Sequence, residues 1–307
     1  MHMAELNGIF PALVTPVNKD GEFQAKPYEK LLERVYKAGV QGVYVCGQTG
    51  EGFQLSLNDR RTATECAVRN SPAGAKVIVH VGTPITADAV ALANHAAKSG
   101  AHFVSSLPPV GNYSFEEIKS YYEAIAQASE LSLMIYYFPS MAPAIRTTDQ
   151  VLELCAIPNV IGLKFTDSDF FRLWAIRQSR AAVFAGADEM LISGLVMGAN
   201  GGIGSTYNLI ADSFVELYQH ASSGRWEEAR GSQNKINEFI QALLRYPIHP
   251  VIKQVLSWTG IDCGSCILPR RSLTSAEQTD LRARVLGTEL GRKLLVTSEV
   301  LAISRSR

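Results

Sequence analysis

One lysine of this sequence lies where its amine can act as a nucleophile. Lys164 stands near the end of Val160–Thr166, an apolar run bounded by Pro158-Asn159 and by Asp167-Ser168-Asp169. Such a run is typical of a buried parallel strand that presents the lysine at its carboxyl end. Burial disfavours the charged form of an amine, so Lys164 is predicted to attack a carbonyl carbon and form a Schiff base. The alternative is a lysine that extends from the strand end into solvent.

Two tyrosines end the preceding apolar run. They lie in Tyr136-Tyr137-Phe138-Pro139. Consecutive strands of a barrel are neighbours, so one of the two hydroxyls is expected close to the Lys164 amine, where a phenol can transfer protons. The alternative for either ring is a place in the apolar core. Thr166 follows Lys164 by two residues, so it is predicted to point the same way and to reach the same ligand.

A glycine-rich turn follows an earlier strand. In Gly47-Gln48-Thr49-Gly50-Glu51-Gly52 the glycines permit a turn with consecutive N–H groups pointing inward. Such a nest suits an anion, for example a carboxylate. A turn that only reverses the chain, with Glu51 as its brace, is the alternative.

Two later turns carry oxygen acceptors among small residues. Gly186-Ala187-Asp188-Glu189 ends one predicted strand, and Gly204 and Ser205 end the next. The small residues allow a ligand to approach closely, while Asp188, Glu189 and Ser205 offer acceptors suited to sugar hydroxyls. Asp188 is also predicted to cap the helix that follows it.

These residues need a scaffold that brings the ends of several strands to one rim. Strand-like runs alternate with helical ones, and eight strands can be counted. This pattern predicts an α/β fold, a closed (β/α)8 TIM barrel, in which the carboxyl ends of the strands share one face. The predicted strands are Ile9–Thr15, Val43–Cys46, Val77–Val81, Phe103–Leu107, Leu133–Phe138, Val160–Thr166, Ala182–Ala185 and Gly202–Ser205.

After the eighth strand only helical patterns remain. We predict helices over Phe214–Ala221, Trp226–Leu244, Pro250–Trp258 and Ala276–Leu295, with a loop over Gly260–Pro269. The predicted organisation is a catalytic barrel over residues 1–223 and a C-terminal helical extension over residues 224–307 that packs on it. Ser114 and Glu117 have the spacing of a capping box, which predicts a helix start there.

The composition excludes several classes of function. The 307 residues include 29 basic and 29 acidic side chains without a long run of either sign, which argues against a nucleic-acid or membrane partner and favours a small solute. No leader-like start or apolar span of about 20 residues is evident, so a cytoplasmic protein is expected. The five cysteines do not form a disulfide framework, and Cys263-Gly-Ser-Cys266 lacks the second pair of a zinc site.

The motifs together resemble the N-acetylneuraminate lyase and dihydrodipicolinate synthase family along nearly the whole chain. The matching segments are Gly-Gln48-Thr49-Gly-Glu51, Tyr136-x-x-Pro139, Gly-Leu-Lys164-Phe-Thr166, Gly186-Ala-Asp188-Glu189 and Gly-Gly-Ile-Gly204-Ser205-Thr-Tyr-Asn. The resemblance implies a pyruvate-dependent class I aldolase, commonly a homotetramer, without metal or organic cofactor. By the family pattern Lys164 forms the Schiff base, Tyr136 rather than Tyr137 handles protons, and Thr49 with its neighbouring amides holds the pyruvate carboxylate.

Within that family the sequence favours the lyase branch. Dihydrodipicolinate synthases typically carry an arginine two residues after the Tyr-x-x-Pro proline, where this chain has Met141, and Arg146 lies too far along to match. In the lyase branch the turns at Asp188-Glu189 and at Ser205 bind the polyhydroxy tail of the sugar acid. The resemblance therefore predicts cleavage of an N-acetylneuraminate-like 2-keto-3-deoxy acid into pyruvate and an aldose.

Two positions depart from the family pattern. Gln48 replaces a common Ser or Thr, and Val110-Gly111 stands where bacterial members often show Tyr-Tyr. Proton relay is then left to water, Gln48 or Tyr113, and the residues alone do not choose among them. The rival interpretations are an aldolase for a shorter acid such as 2-keto-3-deoxygluconate, then dihydrodipicolinate synthase, then a non-catalytic sugar-acid sensor.

Overall fold

The computed structural model describes residues 6–179 and 181–296. Strands and helices alternate through the first two thirds of the chain, as the sequence predicts. The strands are β1 Gly8–Pro11, β2 Gly42–Val45, β3 Lys76–His80, β4 Phe103–Ser106, β5 Leu133–Tyr137, β6 Val160–Phe165, β7 Ala182–Ala185 and β8 Gly201–Gly204.

Each strand is followed by an α-helix, and further helices come after α8. The helices are α1 Ala25–Lys37, α2 Leu57–Arg69, α3 Thr86–Lys98, α4 Phe115–Ala128, α5 Thr148–Cys155, α6 Phe170–Arg177, α7 Leu191–Val196, α8 Tyr207–Ser222, α9 Trp226–Leu243, α10 Ile248–Trp258 and α11 Ser275–Gly287. Short 3₁₀ turns cover Pro139–Met141 and Asp188–Met190. Ser114 and Glu117 form both hydrogen bonds of the predicted capping box at the start of α4.

The eight strands form one parallel sheet that closes on itself. Neighbours along the sheet run β1-β8-β7-β6-β5-β4-β3-β2. A parallel bridge between Ala12 and Tyr44 joins β1 to β2, supported by a hydrogen bond from the Leu13 N–H to the Tyr44 carbonyl (2.9 Å). The predicted (β/α)8 barrel is thereby confirmed. The first strand is shorter than predicted, because beyond Pro11 the chain pairs only through that single bridge.

Two apolar layers alternate along the strands, one on each side of the sheet. The outer layer packs the sheet against the helices. The inner layer, called the interior cluster below, fills the barrel with Leu6, Phe10, Ala12, Tyr44, Ile78, Phe103, Leu107, Met134, Tyr136, Ala182, Phe184 and Ile203. Large side chains therefore close the barrel below its carboxyl rim, and the rim is left for polar groups.

A β-bulge in β6 decides which way Lys164 points. The register of β5 and β6 shifts between Leu133, which pairs with Val160, and Met134, which pairs with Gly162. Val160 packs against the outer layer while Ile161 packs against the interior cluster. An extra residue in one strand reverses the alternation beyond it. Lys164 consequently faces the barrel interior, although strict alternation from Val160 would turn it outward.

The chain after α8 lies against the barrel as helices α9 to α11, a long loop before α11, and a last helical segment. The predicted loop over Gly260–Pro269 is confirmed, since residues 261–274 contain no helix or strand. The prediction of one helix over Ala276–Leu295 is wrong: α11 ends at Gly287, Thr288 is extended, and helix resumes over residues 289–296. None of the helices in the described ranges is long and apolar enough to cross a bilayer.

Candidate active site

Lys164 lies inside the barrel between β5 and β7. It pairs in register with Tyr136 on one side and Phe184 on the other, and only 4% of its surface is exposed. The solvent-exposed alternative for this side chain is therefore wrong. Across the described parts of the chain, no carboxylate lies within ion-pair distance of its amine and no hydrogen bond involves it. A buried amine without a counter-ion is unusual, because charge in an apolar interior is costly.

Two aromatic rings take the place of a counter-ion. The Lys164 Nζ lies 4.1 Å from the centroid of the Tyr136 ring and 4.9 Å from that of Tyr44. The face of each ring attracts a cation through its quadrupole, an interaction of about 0.5–2 kcal/mol. The Tyr44 hydroxyl donates to Ser105 Oγ at 2.9 Å, which holds this ring in place. Tyr44 was missed from the sequence, although its position on an apolar strand, three residues before Gly47 of the glycine-rich turn, is a usable signal.

The two neighbouring tyrosines face opposite sides of the sheet. Tyr136 belongs to the interior cluster, whereas Tyr137 packs on the helix side against Phe165 and hydrogen-bonds Arg172. Of these two tyrosines, only Tyr136 therefore contacts Lys164. The ring face of Tyr136, rather than its hydroxyl, lies against the amine, and its hydroxyl makes no hydrogen bond within the described residues. That oxygen is free to bond a ligand.

A neutral histidine completes the aromatic wall, and it too was missed from the sequence. His80 on β3 contacts Tyr136, Tyr44 and Phe53 through its ring. Its Nε2 accepts a hydrogen bond from the Leu107 N–H at 3.0 Å, so the ring proton sits on Nδ1. Burial, reinforced by the charges of Arg60 and Lys164, holds the pKa of His80 well below its usual value. The imidazole is thus uncharged at neutral pH.

The glycine-rich turn presents free N–H groups. Its carbonyls are directed away: Gly52 N–H bonds the Gly47 carbonyl at 3.0 Å, Glu51 N–H bonds that of Gln48 at 3.1 Å, and the Thr15 hydroxyl bonds that of Gly50 at 2.8 Å. No acceptor within the described ranges takes the N–H groups of residues 48–50. Gly52 is required here, since a Cβ would lie 1.8 Å from the Cys46 carbonyl oxygen. The geometry is that of an anion-binding nest.

Asp188 anchors the turn that follows β8. Its Oδ2 accepts from the Thr206 N–H at 2.7 Å, the Thr206 hydroxyl at 2.6 Å and the Ser205 hydroxyl at 3.3 Å. The prediction that Asp188 caps the next helix is wrong, because α7 begins at Leu191 without a side-chain cap while these donors occupy the carboxylate. Burial raises the pKa of Asp188, and the Thr206 bonds oppose that shift. Oδ1 accepts no protein hydrogen bond in the described residues.

The remaining predicted residues surround the same mouth. Thr166 Oγ1 is buried without a partner and lies where a side chain on Gly186 would place its Cβ, so only glycine fits at 186. Gly204 packs closely on Asp188 in the same way. Glu189 is exposed, and its backbone carbonyl accepts from Asn237 of α9 at 3.1 Å. The structure thus places the predicted residues on one rim. Asp188 both accepts hydrogen bonds from Ser205 and Thr206 and lies at the opening.

All five cysteines are free thiols, and no cluster of three or more potential ligands occurs within residues 6–179 and 181–296. Burial raises the pKa of Cys263 to about 12 and that of Cys266 to about 11, so both remain thiols at neutral pH.

A model of the dihydrodipicolinate synthetase family matches residues 5–286 of this sequence. The chain belongs to this family. The resemblance predicted from its motifs is confirmed, as is the inclination toward one branch. The chain is 37% identical over 284 residues to the N-acetylneuraminate lyase of Rhizobium meliloti, which covers 92% of this chain and 95% of that protein. It is 31% identical over 276 residues to the N-acetylneuraminate lyase of Fusobacterium nucleatum, covering 89% and 95%.

A solved structure agrees with this placement within the dihydrodipicolinate synthetase family. The structure of CdNal from Clostridium difficile in complex with mannosamine superposes with a TM-score of 0.87 at 30% identity, covering 94% of this chain and 99% of that one. The superposition extends over the barrel and most of the helices after it.

This member of the dihydrodipicolinate synthetase family fills the position of the missing arginine with an apolar side chain. Met141 packs against the interior cluster. Arg146 is exposed, and its Nε donates to the Pro143 carbonyl at 3.3 Å. Tyr113, one of the relay candidates, packs against the outer layer and lines a cavity of about 320 Å³ beside the barrel mouth. It does not join the cluster around Tyr136.

Proposed function

We propose that this protein is a lyase that cleaves N-acetylneuraminate to N-acetylmannosamine and pyruvate through a Schiff base on Lys164. The observation that carries the proposal is the buried Lys164 amine, which has no ion-pair partner in the described residues, at the rim where the anion-binding nest also opens. An amine and an anion site on one rim suit a 2-keto acid, because its carbonyl carbon is bonded directly to its carboxylate carbon. The relatives named N-acetylneuraminate lyase support the same activity.

The pyruvate end of the substrate would lie in the glycine-rich turn. Its carboxylate would accept from the backbone N–H groups around Thr49, with the Thr49 hydroxyl and Gln48 beside it. The Lys164 amine then attacks the C2 carbonyl to give a carbinolamine, whose hydroxyl takes up a proton from solvent and leaves as water, so that an iminium remains. The rings of Tyr44 and Tyr136 stabilise that cation.

Cleavage breaks the bond between C3 and C4 and passes its electrons to the iminium, giving an enamine. The proton of the C4 hydroxyl must leave as the aldehyde forms, and the free hydroxyl of Tyr136 is the group proposed to transfer it. Protonation of the enamine and hydrolysis of the imine release pyruvate. Because Tyr113 packs against the outer layer, a water molecule or Gln48 remains as the group that would relay protons to and from Tyr136.

The sugar tail would extend toward the turns after β7 and β8. Polar groups that can bond a ligand lie there. Asp188 Oδ1, Thr166 Oγ1 and the Glu189 carboxylate have no hydrogen-bond partner within the described residues, and the Ser205 hydroxyl has only a bond of 3.3 Å to Asp188 Oδ2. Gly186 and Gly204 have no side chains, so they leave room beside Thr166 and Asp188 for a bulky ligand. A long polyhydroxy substrate satisfies these groups, whereas a three-carbon aldehyde leaves them unpaired, which is costly.

An aldehyde panel tests the substrate. Pyruvate condensation should be fastest with N-acetylmannosamine, slower with glyceraldehyde and absent with aspartate semialdehyde, as measured by product formation for each aldehyde. The carboxylate of aspartate semialdehyde would approach Asp188 and Glu189 without an arginine at Met141, so the local charge opposes it. Preference for glyceraldehyde would instead indicate the aldolase for shorter acids, and ligand binding without turnover would indicate a sensor.

Ser205→Ala supplies the site-directed control for that panel. It should lower kcat/KM for N-acetylmannosamine roughly tenfold, the scale of one lost hydrogen bond, and leave the rate with glyceraldehyde unchanged. Ser132→Ala is the matched control, because Ser132 bonds Asn159 at the opposite end of β5. Equal losses with both aldehydes would contradict a tail-binding role. Asp188→Ala is less informative, since it also removes the anchor of Thr206.

The chain is also proposed to work as a homo-oligomer, a tetramer by the family pattern, with the barrel over residues 1–223 and the helical extension over 224–307 in each subunit. The last part of that extension, residues 297–307, lies outside the described residues. Support for an oligomer comes from an apolar face on the neighbouring helices α6 and α7. Phe171 and Trp174 stack at 5.6 Å with 77% and 45% of their surfaces exposed, and Val196 is 57% exposed.

Charge placed on this face should disrupt the assembly. The double variant Phe171→Glu/Trp174→Glu should sediment as a smaller species than the wild type, because the same patch meets itself across an isologous interface. Leu268→Glu is the control: Leu268 is 81% exposed but lies on the loop before α11. A wild-type protein that sediments as a monomer would contradict the proposal.

A further inference from the structure

The glycine-rich turn is held in its shape by the helices that follow the barrel. Two residues without glycine's freedom, Cys46 and Glu51, adopt positive φ angles of 57° and 55° at its ends. Such conformations are unfavourable for ordinary side chains and persist only where surrounding contacts enforce them. The contacts at Glu51 come from the C-terminal extension.

Glu51 forms a buried ion pair with α10. Its Oε2 lies 2.7 Å from Lys253 Nζ, and the two side chains are 0% and 3% exposed. Its Oε1 accepts from the Ile267 N–H at 2.8 Å, and Lys253 also donates to the Ser265 carbonyl at 2.9 Å. Lys253 is thus a second buried lysine, which the helical pattern around it concealed. Unlike Lys164, it has a carboxylate and a backbone carbonyl as partners.

A second contact from α10 acts on the turn itself. His249 Nε2 donates to the Gln48 carbonyl at 3.0 Å, on the side away from the free N–H groups. Further along, Arg270 donates to Gln54 Oε1 at 3.0 Å. The extension therefore contacts the turn at Gln48 and Glu51 and the segment after it at Gln54, and the His249 bond holds the Gln48 carbonyl out of the nest.

We infer that Lys253, through Glu51, is a positioning residue of the proposed pyruvate site, so that α10 helps to shape that site. The inference rests on the proposed function. Without Lys253 the Glu51 carboxylate would remain buried and uncompensated in the turn that receives the substrate carboxylate. Like charges at close range repel, and the strained turn would also lose its support. Both effects weaken pyruvate binding, while the groups that break the carbon–carbon bond stay in place.

The test compares KM with kcat in Lys253→Met. We expect the KM for pyruvate in condensation with N-acetylmannosamine to rise about 10- to 100-fold, while kcat at saturating pyruvate stays close to the wild type. The double variant Glu51→Gln/Lys253→Met removes the bare charge and keeps an acceptor for Ile267, so it should recover part of the lost affinity. That recovery is not expected from a contact that serves stability alone, and the double variant also covers the case in which the single variant fails to fold.

Lys235→Met is the matched control. Lys235 pairs with Glu289 at 2.8 Å on the exposed side of the same extension, with 52% and 59% of the two side chains exposed, and does not reach the turn. Its KM and kcat should match the wild type. A folded Lys253→Met with unchanged KM, or a double variant no better than the single one, would overturn the inference. Absence of imine trapping in the wild type would instead overturn the proposed function.

Discussion

Lys164→Ala should abolish both turnover and covalent trapping. A Schiff base is an imine that hydride reduces to a stable secondary amine, so pyruvate with borohydride should add a reduced pyruvyl group to the peptide that contains Lys164. The variant lacks the nucleophile, and kcat should fall by roughly 10⁴-fold or more. Mass spectrometry of the digested protein checks the site of attachment.

Two properties of the site sharpen this expectation. Lys164→Arg should be equally inactive, because a guanidinium keeps the positive charge between the rings of Tyr44 and Tyr136 but cannot act as the nucleophile. Folding should survive the alanine change, since within the described residues the amine makes no ion pair or hydrogen bond that the change would break. An unmodified Lys164 peptide in the wild type, under conditions that trap another class I aldolase, would refute the mechanism.

Tyr136→Phe should separate proton transfer from imine formation. The ring remains over the Lys164 amine, so pyruvate trapping should persist, while loss of the hydroxyl should lower turnover by roughly 10²–10⁴-fold. Steady-state kcat and trapping yield, measured on the same preparation, distinguish the two steps.

Tyr137→Phe is the matched control for that change. Tyr137 lies on the other side of the sheet, where its hydroxyl bonds Arg172. Loss of the Tyr137 hydroxyl should lower the unfolding free energy by about 0.5–1.5 kcal/mol, the net value of one hydrogen bond, and leave turnover unchanged. A large catalytic loss in Tyr137→Phe with normal turnover in Tyr136→Phe would assign the role to the other tyrosine.

Features set by neighbours in the chain were predictable from the sequence. The capping box at Ser114 depends on residues three apart, and the order of strands and helices depends on hydrophobic runs that any one segment displays. The position of Lys164 at the end of an apolar run belongs to the same class. Such patterns were enough to predict the barrel, and the barrel in turn brings the ends of its strands to one rim.

Features set by distant partners were not predictable in this way. Asp188 has the local pattern of a helix cap, yet it accepts from Thr206 and Ser205, which lie in the turn after the next strand, β8. Lys253 has the pattern of an exposed helix lysine, but a carboxylate some two hundred residues earlier holds it in the interior. For Asp188 the local alternative was the N-terminus of the next helix, and for Lys253 it was solvent. In both cases the distant partner is favoured because packing between remote segments excludes water from the side chain.

The sequence by itself determined that Lys164 would stand on a buried strand beside two tyrosines and near a glycine turn. Only the tertiary structure decided which face of the strand carries the lysine and which tyrosine meets it. Side chains alternate along a strand, so one extra residue reverses their direction, and the bulge at Gly162 arises from pairing with β5 rather than from any local pattern. That register turns Lys164 and Tyr136 inward together and leaves Tyr137 on the helix side.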